Sequence, residues 1–316
     1  MKKNGSDILE GLMRRLSKLP LSFHYTLCRF LSFLLQHVVR YRRKVVRINL
    51  TRSFPEKSAQ EIKDITKAFY RHFGEIIAET VWFGGCTYPD ERLRKQQLCT
   101  MTNSEDLNDA FCASNGLVIL ESHAGNWEIT GGWFEYVPKG AYIYSEKEVS
   151  VTYKKLSSDT WDRIMAKWRT APMPDTYKGY VESRNMLRHA LENKKKKHIY
   201  VFPTDQYPYR YASKHEVESF LGQKTMTMTG AATLAHRLGM GVGMFRMTSI
   251  SRGHYEQTFE LICRDASQST PEEIMSVYYA RLEEDIKAQP WNYLWTHKRW
   301  KRQRPEGMQL MTFNDK

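Results

Sequence analysis

From residue 117 onward, short apolar runs alternate with stretches of helical periodicity, and this alternation restricts the fold more than any other feature of the sequence. The runs that predict strands cover residues 117–120, 141–144, 199–202 and 241–247. The stretches that predict helices cover residues 151–169, 182–194, 228–238 and 271–288. Strands that alternate with helices indicate an α/β fold built on a largely parallel sheet.

One further predicted strand, residues 255–263, has no helix before it. It follows a turn-forming segment, Ser251-Arg252-Gly253-His254, so we expect a hairpin with the strand at 241–247. A hairpin adds an antiparallel pair to an otherwise parallel arrangement. The sequence therefore predicts an α/β fold with a mixed, mostly parallel sheet flanked by helices.

The first 50 residues are strongly basic. They carry eleven lysines and arginines against two acidic residues, in a chain whose net charge is +13. A run of apolar residues recurs there at helical spacing: Phe23, Leu27, Phe30, Leu31, Leu34 and Val38. Arg29, Gln36 and His37 interrupt it, and a spanning helix needs about 20 consecutive apolar residues. We predict an amphipathic helix lying on an anionic membrane surface, with a core-packing first helix as the alternative.

These features predict three regions. Residues 1–50 form a basic membrane-associating segment, residues 51–305 an α/β domain and residues 306–316 a C-terminal tail. Within the second region, Ser58 and Glu61 make a capping-box pattern that starts a helix ending near Phe83. The five cysteines have no CxxC spacing, and no nucleotide or metal motif accompanies them. We therefore expect no disulfide framework, no metal and no cofactor.

The stretch Glu121-Ser122-His123-Ala124-Gly125-Asn126-Trp127-Glu128 directly follows a predicted strand. Open α/β sheets bind ligands at the carboxyl ends of their strands. Gly125 allows a tight turn and Asn126 suits a helix N-cap, which puts Glu128 in the first helical turn. If the turn folds His123 back over that helix, Glu128 accepts a hydrogen bond from one imidazole nitrogen, and the other nitrogen acts as a general base. A purely structural His–carboxylate pair is the alternative.

This stretch resembles the His-x4-acid motif of the lysophospholipid acyltransferase-like superfamily, in particular its lipid A biosynthesis (lauroyl/myristoyl) acyltransferase branch. The resemblance extends over about residues 20–301, because other stretches agree in order and spacing: Asn49-Leu50, Phe54-Pro55-Glu56, Arg184, Asp205-Gln206, Phe220-Leu221-Gly222, Leu234-Ala235 and Trp295-Thr296-His297-Lys298-Arg299-Trp300. Glu128 in place of an aspartate favours this branch over the glycerol-phosphate acyltransferases.

The resemblance implies a glycerolipid acyltransferase-like fold and an O-acyltransferase. The enzyme would move a fatty acyl chain from acyl carrier protein, or another acyl thioester, to a hydroxyl of a lipid acceptor, with a lipid A precursor as the first candidate. A lysophospholipid and an amino-acid-linked lipid are alternative acceptors. The implied location is the cytoplasmic face of the bacterial inner membrane, with peripheral or monotopic attachment and no nucleic acid partner.

The resemblance also implies roles for individual residues. His123 would deprotonate the acceptor hydroxyl and Glu128 would orient the imidazole. Asp205, with Gln206 beside it, would support this network or bind the acceptor. The oxyanion formed from the thioester needs donors, and the candidates are backbone N–H groups near Gly125 and Asn126 or the guanidinium of Arg184, which alternatively clamps a phosphate.

Two other classes of protein remain open from the residues alone. One is a non-catalytic basic protein that binds anionic lipid or nucleic acid, in which His123 and Glu128 are structural. The other is a hydrolase that activates water with the same pair, although the chain has no Gly-x-Ser-x-Gly nucleophile motif.

Overall fold

The computed structural model describes residues 5–89, 91–209, 212 and 214–300, so the predicted tail at 306–316 lies outside the described residues. The α-helices within these ranges are α1 (Gly5–Leu16), α2 (Leu21–Phe33), α3 (Arg43–Ser53), α4 (Ala59–Phe83), α5 (Glu91–Gln96), α6 (Ser104–Ala113), α7 (Asp159–Arg169), α8 (Met186–Glu192), α9 (Gly230–Leu238) and α10 (Pro271–Ala288). The strands are β1 (Cys99–Met101), β2 (Leu117–Glu121), β3 (Val149–Tyr153), β4 (Tyr180–Glu182), β5 (Ile199–Pro203), β6 (Lys214–Phe220), β7 (Gln223–Met228), β8 (Gly241–Ser251) and β9 (His254–Cys263).

Seven of these strands form one mixed sheet in the order β1-β9-β8-β2-β5-β3-β4. Every neighbouring pair is parallel except β8 and β9, which form an antiparallel hairpin. The predicted mixed, mostly parallel α/β fold is therefore confirmed, and so is the predicted hairpin. In such a sheet the carboxyl ends of β2, β5 and β3 meet at one edge, which is where ligands bind in open α/β folds.

Both faces of the central strand β2 are covered. Val118 and Leu120 face one apolar core, which α9 and α10 help to form, whereas Leu117 and Ile119 face a second core that contains Trp133 and Phe245. Because side chains alternate between the two faces of a strand, burial on both sides makes the whole strand apolar. This explains why β2 can be predicted from the sequence as an uninterrupted apolar run.

The prediction of a strand at residues 141–144 is wrong. In the structure this segment is a loop whose aromatic rings, Tyr142 and Tyr144, pack edge-on against Trp133. The next strand is instead β3, at the start of the stretch predicted as the helix 151–169, and α7 accounts only for the end of that stretch. The apolar residues of this loop pack against the core. A short apolar run in the sequence fits such a loop as well as a buried strand.

A separate two-stranded sheet, formed by β6 and β7, is absent from the sequence prediction. Leu221 and Gly222 connect the two strands, and both have positive φ, 52° and 70°. Two successive residues in this conformation suit the tight twisted turn of a hairpin. Glu283 of α10 accepts a hydrogen bond from the Leu221 N–H at 2.5 Å and ties the turn to the main domain.

The predicted amphipathic helix is confirmed as α2, which continues into a π-helical turn at Leu34–Val38. One side of α2 packs along α4 through Leu21 and Cys28. The predicted apolar face points away from the core: Phe23 and Leu27 are each 46% exposed and Phe30 is 61% exposed. Across the described ranges, every helix is too short or too polar to cross a membrane.

Candidate active site

His123 and Asp205 lie side by side at the carboxyl ends of adjacent parallel strands. His123 follows β2 and Asp205 follows β5, two strands that pair in register from Leu117–Ile199 to Glu121–Pro203. The Nδ1 atom of His123 lies 2.6 Å from Oδ1 of Asp205. Asp205 is 1% exposed. The strand register therefore creates a buried His–Asp pair from residues 82 positions apart in the chain.

The second imidazole nitrogen faces Gln206. The side-chain amide nitrogen of Gln206 lies 2.9 Å from Nε2 of His123. An amide N–H donates, so Nε2 accepts this bond, while Nδ1 carries the proton that is donated to Asp205. His123 thus presents the lone pair of Nε2 toward the adjoining cavity, which is the arrangement that a general base needs.

The loop that carries His123 is held by the segment after α10. The His123 carbonyl accepts from the Leu294 N–H at 3.0 Å, and the Gly125 N–H donates to the Asn292 carbonyl at 2.9 Å. Gly125 has a φ of +67°. An added Cβ at Gly125 would lie 2.5 Å from Cγ of Met247. Both the backbone conformation and the close packing therefore require glycine at this turn.

Glu128 forms no hydrogen bond with His123 among the described residues, unlike the arrangement expected from the His-x4-Glu spacing. Its Oε1 accepts from Nη2 of Arg169 at 2.7 Å, its Oε2 accepts from Nε of the same guanidinium at 2.5 Å, and Trp127 Nε1 donates to Oε1 at 3.0 Å. Among the described residues, Asp205 and not Glu128 is the carboxylate bonded to the imidazole. The reason is local: Glu128 sits in the first turn of a 3₁₀ helix, Trp127–Glu135, that faces the end of α7.

Asn126 caps that 3₁₀ helix as predicted, because its side chain accepts from the Glu128 N–H at 3.2 Å. Its other side-chain atom, Nδ2, donates to Oε2 of Glu79 at 2.8 Å. Glu79 is 0% exposed and also accepts from the hydroxyls of Tyr25 and Tyr255, each at 2.8 Å. A buried carboxylate on α4 thereby joins α2, β9 and the His123 loop.

Arg184 is not beside His123. Its side chain is 89% exposed, and its nearest ion-pair partner is Glu182, with Nε to Oε1 at 3.8 Å. The guanidinium that lines the His123 cavity is that of Arg169, whereas Arg184, one of the expected oxyanion donors, does not line it. Arg184 instead lines a neighbouring cavity of about 640 Å³, together with Lys154 and Lys155.

The cavity in front of His123, which we call the catalytic cavity, has a volume of about 250 Å³. Glu121, Glu128 and Arg169 line it beside His123. The rest of its wall is mainly apolar or aromatic: Trp127, Val151, Tyr153, Leu156, Met173, Tyr177 and Tyr180. A few polar groups set into an apolar wall are typical of a site for a small apolar ligand.

Burial and neighbouring charges shift the pKa values of this site in a consistent way. Burial opposes the charged imidazole, but the Asp205 carboxylate outweighs it and raises the pKa of His123 above its ordinary 6.5. Burial likewise opposes the charged form of Asp205, yet His123 lowers the pKa of that carboxyl. Arg169 overcomes burial in the same way and lowers the pKa of Glu128. Burial raises the pKa of Glu121 to about 7, and the hydrogen bond from Thr130 and the charge of His123 only partly oppose this.

Sequence reasoning missed three residues of this site: Arg169, Glu79 and Glu121. Arg169 ends a predicted helix and looks like an ordinary basic residue near a helix C-terminus. Glu79 breaks an apolar face of α4, and a charged residue in that position is the one local signal that a buried partner exists. Glu121 ends an otherwise apolar strand two residues before His123, which could have drawn attention to it.

Comparison with known proteins gives one consistent result. A family model described as bacterial lipid A biosynthesis acyltransferase matches residues 8–302. The chain is similar to a lipid A biosynthesis palmitoleoyltransferase of Escherichia coli (strain K12), 23% identical over 273 residues that cover 85% of this chain and 81% of the relative. It is also similar to a lipid A biosynthesis lauroyltransferase of the same strain, 24% identical over 306 residues that cover 94% and 91% of the two chains.

Proposed function

The chain belongs to the bacterial lipid A biosynthesis acyltransferase family, and on this premise we propose that it transfers a fatty acyl group from acyl carrier protein to a hydroxyl of a lipid A precursor. Acyltransferase activity follows from the family; the donor, the hydroxyl acceptor and the site of action are our proposals. The observation that carries them is the buried His123–Asp205 pair, which opens into an apolar cavity at the carboxyl edge of the sheet.

In the proposed reaction, the acceptor hydroxyl takes the place of the Gln206 amide at Nε2 of His123. Its oxygen attacks the thioester carbon while its proton passes to Nε2. Asp205 stabilises the resulting imidazolium, since it already accepts the hydrogen bond from Nδ1. The tetrahedral intermediate then expels the thiolate, which takes the proton back from His123, so no acyl-enzyme is formed.

Arg169 is the proposed electrostatic partner of the oxyanion. It lines the same cavity as His123, and Glu128 and Tyr180 hold its guanidinium in place through three hydrogen bonds. A preorganised donor to an oxyanion contributes about 3 to 4 kcal/mol to the lowering of the barrier. In this mechanism Glu128 is a positioning residue, because it acts on Arg169 and not on His123.

We propose a peripheral position on the cytoplasmic face of the inner membrane. The exposed apolar residues of α2, Phe23, Leu27 and Phe30, support this position, together with the basic first 50 residues. Such a helix inserts its apolar face into the headgroup region, while nearby lysines and arginines are attracted to anionic lipids.

Mass spectrometry of lipid products tests the function. Purified protein receives acyl carrier protein loaded with an isotope-labelled acyl chain, together with detergent-dispersed membrane lipid. We expect label in a lipid A precursor with the wild type and no label with His123→Ala. His254→Ala, at a half-buried histidine bonded to the Gln97 carbonyl and outside the catalytic cavity, is the matched control and should retain transfer.

Label in a lysophospholipid or an amino-acid-linked lipid would support acyl transfer but identify a different acceptor. Free labelled fatty acid as the sole product would indicate a hydrolase and contradict the proposal. Transfer by His123→Ala at the wild-type rate would exclude the general-base mechanism.

A further inference from the structure

A second cavity lies between α2, α4 and the turn that joins β8 to β9. We call it the basic cleft and define it by Arg29, Ser32, Lys67, Arg71, His72 and Arg252. Its volume is about 910 Å³, and none of its lining residues also lines the catalytic cavity. The reaction proposed above therefore leaves this cavity without a role.

Unpaired positive charge distinguishes the basic cleft. Arg29, Lys67 and Arg71 form no hydrogen bond or ion pair within the part of the chain that the structure describes. Two acidic residues, Asp64 and Glu75, also line the cleft, so four lysines and arginines face two carboxylates and leave an excess of positive charge. Cations held close together without partners repel one another, and an anion between them relieves that repulsion.

Two buried polar groups in the cleft also lack partners. His72 is 3% exposed and Ser32 is 9% exposed. Considering the described residues only, His72 Nε2 and Ser32 Oγ make no hydrogen bond. Most buried polar atoms in folded proteins have a partner, so an unsatisfied pair that lines one cavity indicates a missing ligand or water. Both atoms are shielded from solvent, so a ligand group reaches them only after the side chains rotate. The Ser32 hydroxyl can then donate to a phosphate oxygen, and the imidazole can donate from whichever nitrogen carries a proton.

Apolar side chains border the same cleft. Phe33 and Ile250 line it and are 56% and 55% exposed, and Phe30 lies nearby on α2 with 61% exposure. Exposed apolar residues disfavour a site for a free, fully hydrated anion, whereas they suit a molecule that carries acyl chains beside its charge. The ligand that fits this combination is an anionic lipid.

We propose that the basic cleft binds the phosphate headgroup of an anionic glycerophospholipid of the bilayer. Arg29, Lys67 and Arg71 neutralise the phosphate, and the apolar residues at the border of the cleft contact its acyl chains. This lipid is neither donor nor acceptor, and it holds the protein on the membrane. The inference depends on the proposed membrane position of α2 and not on acyl transfer.

Vesicle cosedimentation tests the site with the full chain. Arg29→Gln/Arg71→Gln should weaken binding to mixed phosphatidylcholine–phosphatidylglycerol vesicles by about 25-fold, since each basic residue at an anionic surface contributes roughly five-fold. Binding to pure phosphatidylcholine should not change. Arg188→Gln/Arg237→Gln removes the same charge from two exposed positions outside the cleft and should have little effect.

A second variant tests the shape of the basic cleft independently of its charge. Ala68 lines the cleft, and Ala68→Phe should obstruct it beside Lys67 and Arg71 and weaken binding to the mixed vesicles without a change in net charge. Ala113→Phe, at the exposed end of α6, is its control. Equal weakening by both arginine pairs would overturn the proposal, because it would indicate a non-specific charge effect. Undiminished binding by Ala68→Phe would overturn it as well.

The headgroup site in the basic cleft and the proposed acyl transfer can each be refuted without the other. The cleft variants should still acylate detergent-dispersed acceptor at the wild-type rate, because they leave the catalytic cavity unchanged. A wild type that binds anionic vesicles through the cleft but transfers no acyl group would refute the proposed function alone. Normal transfer with cleft-independent vesicle binding would refute the headgroup site alone.

Discussion

Arg169 and Glu128 form a two-point ion pair at the edge of the catalytic cavity, with Nη2 to Oε1 at 2.7 Å and Nε to Oε2 at 2.5 Å. Their side chains are 23% and 12% exposed. Two parallel N–H···O bonds fix the plane of the guanidinium as well as its position. Glu128 thus forms an ion pair with Arg169, whereas His123 bonds to Asp205, which follows a different strand.

Glu128 and Arg169 should contribute to stability as a coupled pair and not independently. Glu128→Gln or Arg169→Gln leaves an uncompensated charge in a mostly buried site, which costs about 3 kcal/mol or more. Glu128→Gln/Arg169→Gln removes both charges, so its loss should be smaller than the sum of the two single losses. Denaturant unfolding of the four proteins measures this coupling.

Arg163→Gln is the control for this cycle. Arg163 lies on the same helix but forms a half-exposed surface pair with Glu10, at 3.0 Å. Exposed pairs contribute at most about 1 kcal/mol, so this variant should unfold almost like the wild type. Additive losses from Glu128→Gln and Arg169→Gln would contradict the ion pair as the source of the stability.

Arg169→Lys should lower kcat by about 10²-fold, since loss of one preorganised oxyanion donor has an effect of this size. Lysine keeps the positive charge but cannot form the two-point contact with Glu128. Steady-state kinetics with a fixed acyl donor measure kcat and KM separately. A change in KM alone would assign Arg169 to substrate binding instead of to stabilisation of the transition state.

The activity should rise with pH through the titration of His123. The base is active when it is neutral, and Asp205 raises the pKa of His123 above 6.5. The acid limb of the kcat/KM profile should therefore lie above pH 6.5. Asp205→Asn removes the anion that favours the imidazolium, so we expect the limb to move to lower pH while the maximal rate falls.

Glu128→Gln is the comparison for that profile. It removes a carboxylate that forms no hydrogen bond with His123 among the described contacts, so the acid limb should move less than with Asp205→Asn. A larger shift with Glu128→Gln would contradict the assignment of Asp205 as the partner of the imidazole.

Glu79 should make the stability of the protein depend on pH. Burial raises the pKa of Glu79 above its ordinary 4.5, despite hydrogen bonds from Asn126, Tyr25 and Tyr255. Between pH 4.5 and this raised pKa, the folded protein binds more protons than the unfolded chain, so the contribution of Glu79 to stability falls as pH rises. Glu79→Gln removes this dependence. The unfolding free energy of the wild type minus that of the variant should therefore fall as the pH rises over that range.

Glu79→Ala should behave differently from Glu79→Gln. It leaves the donors on Asn126, Tyr25 and Tyr255 without their buried acceptor, each at a cost of about 1 to 3 kcal/mol. Because Asn126 caps the helix that carries Glu128, kcat should fall along with stability. Full activity in Glu79→Ala would show that the hydrogen bonds to Glu79 do not determine the geometry of the catalytic loop.

Gly125→Ala should destabilise the protein more than Gly140→Ala. Both glycines have positive φ, 67° and 81°, so an L side chain is strained at either position. An added Cβ at Gly125 would also meet Met247 at 2.5 Å, whereas at Gly140 it meets no atom within 4 Å. We expect about 1 kcal/mol from backbone strain at both positions and an additional loss at Gly125. Thermal unfolding of the two variants compares them directly.

Much of the fold was predictable because its central strands are buried on both faces. The strands β2 and β5 are continuous apolar runs and β8 begins as one, and the hairpin β8–β9 follows from the absence of a helix between two strand patterns. The edge strands β1 and β4, the strand β3 between β5 and β4, and the hairpin β6–β7 were missed. Each is short or mixes polar and apolar side chains, so none shows the continuous apolar run that identifies β2 and β5.

The candidate site was predictable in part. The position of His123 at the carboxyl end of a strand, the turn at Gly125 and the cap at Asn126 are local properties, and each follows from residue types a few positions apart. The exposed face of α2 is local as well, since helical spacing alone determines which side chains share a face. The sequence itself determined these features, along with the family of the chain.

Partner choice within the site was decided by the tertiary structure alone. His123 meets Asp205 because β2 and β5 are parallel neighbours in register, and Glu128 meets Arg169 because the 3₁₀ helix faces the end of α7. Both pairs join residues far apart in the chain, and spacing carries information only about neighbours within a turn or two. Strand register and helix packing therefore determine which carboxylate serves the base and which holds the cation.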